Sequence, residues 1–181
     1  MIKPRDRSGS AYCKDCGVHA VHERGIGSPL VIRHKADCRD SRVKSRDIGF
    51  TGSGKVAPTP KQLVWLMDRM AILKSEGYGR LHHGDCINGD AAAHMCAREL
   101  GFWIIVHPPL NSKARAWCEG NDIRAPKPYR ARDLDIVNES VRMLALPWLP
   151  EKHGSSLRSG TWLTIRLALK ANVPVEMMLR E

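Results

Sequence analysis

The residues best suited to chemistry are Arg158-Ser159-Gly160-Thr161-Trp162, which open an apolar, helix-like run over 163–169. Just before them, Met143-Leu144-Ala145-Leu146-Pro147 reads as a buried strand. A small-residue turn that starts a helix beyond the carboxyl end of a strand is a phosphate site. Its free backbone N–H groups and the positive helix end face the ligand, and small side chains let the anion approach. Arg158 adds a charge that can pair with phosphate.

Two further turns of this kind occur. Gly52-Ser53-Gly54 ends a first apolar run, and Gly84-Asp85-Cys86-Ile87-Asn88-Gly89-Asp90 follows a second. Asp85 can contact a ribose hydroxyl or act as a general base, and Asp90 suits the cap of the helix that follows. Asn88 belongs to the same turn, as a candidate ligand contact. His82, His83 and His107 fall near strand ends. Adjacent strand residues point to opposite faces, so His82 and His83 cannot line one pocket together. Arg115, Arg130 and Arg132 lie on or beside a long loop, where one of them can reach phosphate.

A different chemistry is written near the start. Cys13, Cys16, His34 and Cys38 follow a C-x2-C-x17-H-x3-C spacing. The Cys-x-x-Cys turn offers two thiolates, and a His and a Cys four apart share a helical face. A polar segment this short buries too little to fold alone, and a structural Zn2+ would supply the missing stability. His19 and His22 compete with His34 as the third ligand. The alternative is a solvated basic tail with reduced cysteines.

The elements that must position these residues alternate between strand and helix. Strands are expected at 48–51, 80–83, 103–106, 144–146 and 173–177. Thr59-Pro60-Lys61-Gln62 begins a helix, with Thr as cap, Pro in the first turn and Gln at the capping-box position. Leu63, Leu66, Met67, Met70 and Leu73 recur at helical spacing, and Gly77 ends the run. Further helices are expected at 91–100, 132–140 and from Gly160, with 110–130 as loop. Such alternation predicts an α/β fold, a Rossmann-like parallel sheet with helices on both faces. Ligands in such sheets bind beyond the strands' carboxyl ends.

Composition supports two parts: a basic zinc-knuckle-like segment over 1–46 and a nucleotide-binding domain over 47–181. The net charge of +10 is concentrated at the start: residues 1–46 hold 11 Lys and Arg against 5 Asp and Glu. That surplus suits a nucleic acid or another polyanion, or a solvated tail. No apolar run reaches the ~20 residues of a membrane span. The first residues lack the apolar core of a signal peptide, so a cytoplasmic location is expected.

The order of the glycine turns resembles the SLOG superfamily of Rossmann-like proteins over about 47–178. That group includes the LOG phosphoribohydrolases, the molybdenum-cofactor carriers and the DNA-processing protein DprA, along with small members from actinobacteria and their phages. His83-Gly84-Asp85 through Ala93-His94 is similar to the DprA pattern of Gly, Gly-Ile-Asp and Ala-His. Arg158-Ser159-Gly160-Thr161 resembles the LOG phosphate loop, and Arg132 matches the catalytic arginine of LOG enzymes. The catalytic glutamate of Gly-Thr-x-x-Glu is replaced by Thr164, which cannot stabilise a ribosyl cation. The resemblance therefore implies nucleotide binding more strongly than N-glycosidic hydrolysis, and it implies a homodimer. Other readings are a DNA- or RNA-binding protein and a protein-interaction module.

Overall fold

The computed structural model describes residues 46–151 and 159–180, with the backbone of two short strands at 21–22 and 30–31. The chain divides into two compact units, Met1–Ser45 and Arg46–Glu181. In the first, β1 (Val21–His22) pairs antiparallel with β2 (Leu30–Val31). The expected zinc ligands Cys13, Cys16, His34 and Cys38, and also His19, lie outside the described residues.

The second unit is a six-stranded parallel sheet with four helices. In chain order it runs β3 (Asp47–Gly52), α1 (Pro60–Ser75), β4 (Arg80–His83), α2 (Gly89–Glu99) and β5 (Trp103–Val106). It continues with β6 (Asp122–Ile123), α3 (Tyr129–Glu139), β7 (Arg142–Leu146), α4 (Gly160–Lys170) and β8 (Val175–Met177). The sheet order is β6-β5-β4-β3-β7-β8, with every pairing parallel. The chain winds outward from β3 to β6, then returns to β7 on the other side of β3. The order in which strands are added across the sheet thus reverses between β3 and β7, the position where open α/β sheets form a crevice.

The core explains the layers. Ile48 and Phe50 of β3 pack with Leu66, Met70 and Leu73 of α1 and with Ala93 and Ala97 of α2. On the opposite face Ile136 and Val137 of α3 pack with Met143, Ala168 and Val173. Alternate residues of each strand feed one layer or the other. The start of α1 is as its sequence predicts: Thr59 accepts from the Gln62 N–H, and Gln62 Oε1 accepts from the Thr59 N–H. Gln62 is also buried, and its Nε2 donates to the Met178 carbonyl at 2.9 Å, tying α1 to the residue after β8.

One difference concerns 110–130. This stretch holds a 3-10 turn at Ser112–Ala114 and the two-residue edge strand β6, instead of loop throughout. A strand this short leaves no alternation to read in the sequence, and pairing with β5 alone defines it.

Candidate nucleotide-binding cleft

A cleft of about 290 Å3 opens where β3, β4 and the start of α4 end together. Gly52, Ser53 and Gly54 form one wall, and Ser159, Gly160 and Thr161 another. Gly84 and Arg132 lie on its floor with Asp90, Asp133 and Thr164, and Lys55, Tyr129 and Trp148 also line it. Arg158 lies outside the described residues.

The turn after β3 is held by its own serine. Ser53 Oγ accepts from the N–H of Lys55 and Val56 at 3.1 and 3.3 Å. Asn88 does not line the cleft. It steadies this wall, since its Nδ2 donates to the Gly54 carbonyl at 2.9 Å. The end of β3 and the start of α2 approach so closely that a Cβ on Gly89 would sit 2.6 Å from Gly52 Cα. At α4, Ser159 is the N-cap and accepts from the Trp162 N–H. Its side chain satisfies one of the donors of the first turn, and its carbonyl accepts from the Leu163 N–H at 2.9 Å.

Arg132, at the first turn of α3, is only 7% exposed. It donates to the Gly84 carbonyl at 2.9 Å and reaches Asp133 Oδ1 through Nε at 3.0 Å and Nη2 at 2.6 Å. Gly84 makes this possible, because a Cβ there would lie 2.7 Å from Arg132 Cζ. Burial works against the arginine's charge, but the carboxylates of Asp133 and Asp90 outweigh it and hold the guanidinium protonated. Asp133 Oδ2 makes no hydrogen bond, although it is buried beside the Thr164 hydroxyl. Burial raises the Asp133 pKa, against the pull of Arg132. Thr164 itself is buried and donates to the Gly160 carbonyl at 3.0 Å.

The two acids of the β4–α2 turn take unlike places. Asp85 is fully buried and does not line the cleft. Its carboxylate accepts from Arg115 Nε at 2.6 Å and from the Cys118 N–H at 2.9 Å, so it braces the 112–118 segment. Asp90 does line the cleft and caps no helix. Its Oδ2 accepts from the Cys86 N–H at 3.0 Å, outside α2. Burial pushes Asp90 up to about 6. The turn between β4 and α2 carries positive φ at Asp85 (57°) and Asn88 (66°). Cys86 Sγ, a cleft residue that sequence reasoning left among ordinary core or loop, is pushed up to about 11 by burial.

None of the strand-end histidines lines the cleft. His83 Nδ1 accepts from the Asp85 N–H at 3.1 Å, so its proton sits on Nε2, 3.1 Å from His94 Nδ1. This pair faces α2. His82 faces the other way, toward α3, with Nδ1 2.9 Å from His107 Nε2. Arg115 packs its guanidinium over the Trp117 ring instead of entering the cleft.

Comparison with known proteins places this geometry. No family model matches the sequence, and no curated protein matches it. Among solved structures, the chain is similar to the molybdenum cofactor binding protein of Rippkaea orientalis, at 22% identity and TM-score 0.58, over 77% of this chain and 79% of that one. It is similar to the molybdenum cofactor carrier protein of Chlamydomonas reinhardtii, at 26% identity and TM-score 0.53, over 74% and 75% of the two chains. DNA processing protein A of Helicobacter pylori, whose single-stranded DNA binding has been described structurally, matches at 16% identity and TM-score 0.54 over 74% and 65%. Among the described residues no helix is long and apolar enough to cross a membrane. The sheet order, the strand-end cleft and these neighbours together give the second unit a Rossmann-like fold.

Proposed function

We propose that the cleft holds a nucleotide or a nucleotide-derived small molecule. The observation that carries this reading is the convergence of Gly52-Ser53-Gly54, Ser159-Gly160-Thr161 and Arg132 on one cavity at the strand ends. The N-terminal end of α4 and the buried guanidinium suit a phosphate. The unbonded Oδ2 of Asp133 and the carboxyl of Asp90 suit the hydroxyls of a sugar, the role that the sequence alone assigned to Asp85. The resemblance to molybdenum-cofactor carriers supports holding over cutting, as does threonine at 164. Hydrolysis at an N-glycosidic bond is the weaker form of the same reading, with Arg132 as its catalytic candidate.

The test is calorimetric or thermal-shift titration with AMP, ADP-ribose and cyclic nucleotides, comparing wild type with Gly160→Asp. A Cβ at Gly160 meets nothing within 4 Å, and an acid in the first turn of a helix is compatible with folding. The variant should therefore fold normally and lose nucleotide affinity at least about tenfold, ~1.4 kcal/mol. Equal binding by the two proteins, or no binding of any probe, overturns the reading.

A second reading is single-stranded nucleic acid as ligand. It is favoured by the basic surplus over 1–46 and by the likeness to the DNA processing protein.

The C-x2-C-x17-H-x3-C spacing supports a structural zinc on Cys13, Cys16, His34 and Cys38. Elemental analysis should find zinc in freshly purified protein, with one equivalent lost on Cys13→Ser. Zinc at background sinks this proposal.

A further inference from the structure

On the α3 face of the sheet, among residues that do not line the cleft, three side chains meet whose chemistry no nucleotide requires. His82 of β4, His107 just after β5 and Glu139 at the end of α3 bring one ligand atom each within 4.8 Å of one another. His82 and His107 are buried, and Glu139 is partly exposed. His82 Nδ1 stands 2.9 Å from His107 Nε2 and 3.7 Å from Glu139 Oε2.

The outer partners decide how these atoms can be used. His82 Nε2 lies 3.2 Å from Asp47 Oδ2, and the buried carboxylate accepts its proton. That fixes the His82 tautomer and leaves its Nδ1 lone pair directed at His107 Nε2, whose proton has to move to His107 Nδ1 when an ion takes its place. A histidine whose far nitrogen donates to a carboxylate is the usual arrangement around a protein-bound metal. The separation agrees. Two imidazole nitrogens 2.9 Å apart, each ~2.05 Å from a common ion, subtend about 90° at it, as do neighbouring positions of an octahedron. Glu139 has to close in from 3.7 Å off His82 Nδ1 to take a third position. It is a flexible surface side chain whose exposed pairing with Arg124 is readily exchanged.

The companion cluster on the other face, His83, His94 and Cys118, is not equivalent. There the Asp85 N–H occupies His83 Nδ1, so the proton sits on the nitrogen that would have to bind.

We propose that His82, His107 and Glu139 form a binding site for a divalent first-row transition ion, with Asp47 orienting His82. Two nitrogens and one carboxylate oxygen select ions of the zinc, cobalt and iron(II) class over calcium or magnesium. The ion joins β4, the end of β5 and the last turn of α3.

Full-length protein carrying Cys13→Ser and Cys16→Ser, stripped with chelator, is titrated with Co2+ and followed by absorption and calorimetry. One ion per chain is expected, with no thiolate-to-cobalt charge-transfer band. Glu139→Gln should weaken binding at least about tenfold and His107→Gln should abolish it. Asp47→Asn, which touches no metal, should weaken it about 10–100-fold. Glu139 lies at the surface, so its variant keeps the test decisive if a buried histidine substitution fails to fold. No cobalt binding, or binding that Glu139→Gln leaves unchanged, overturns the proposal.

Discussion

Asp90 shows how one side chain ties the cleft to solution conditions. Its pKa is pushed up to about 6, chiefly by burial. Between about 4 and about 6 the folded chain therefore holds a proton that the unfolded chain releases, and stability falls as pH rises through that window. Asn at this position keeps an acceptor for the Cys86 N–H without the charge. Asp90→Asn should gain on wild type as pH is raised from about 4.5 to about 7.5, by at most about 3 kcal/mol. Denaturant unfolding at several pH values measures this. A difference that does not change with pH would mean that Asp90 is not the acid responsible. Residue identity alone did not reveal that Asp90 and not Asp85 enters the cleft. The two lie five positions apart in one glycine-rich turn that carries two positive-φ residues, and spacing does not say which of them points inward. Nor could spacing show that Arg132 would cover Gly84, 48 positions away.

At the scale of elements, the close approach of β3 and α2 is a fixed dimension of the site. Backbone stands on both sides of the Gly52–Gly89 contact, so neither partner can swing aside. Gly89→Ala should destabilise the protein by ~1–3 kcal/mol, as overpacking does. It should also weaken nucleotide binding by displacing the Ser53 wall. Denaturant unfolding with and without ligand reads both effects, and a variant as stable as wild type would show that the two elements can part freely. Most elements were legible because their signals are local. The Thr59–Gln62 capping box, the spacing of Leu66, Met70 and Leu73, and the apolar strands each announce themselves within a few residues. The β6 edge has no such signal, and neither does the union of three distant turns into one cavity, which depends on sheet order.

For the molecule as a whole, charge separates the two ligand readings. If single-stranded nucleic acid is the partner, the 11 basic residues of 1–46 should make binding fall steeply with salt. Each phosphate neutralised contributes about −0.7 to the log–log slope for a single strand. A small nucleotide in the cleft should show a much shallower dependence. Fluorescence anisotropy with an oligonucleotide at several salt concentrations measures the slope. A flat profile rules out the basic region as the carrier.

The sheet order also governs how the chain must be made. β3 sits at the centre, and its two neighbours arrive at very different times during synthesis. β4 follows within some thirty residues, whereas Ile48 meets Arg142 only after 94 more have been added. Until then the β7 side of the central strand is an unpaired edge, the kind of surface that recruits other chains. Growing chains that stop short of β7 are accordingly the form of this protein most in need of a chaperone.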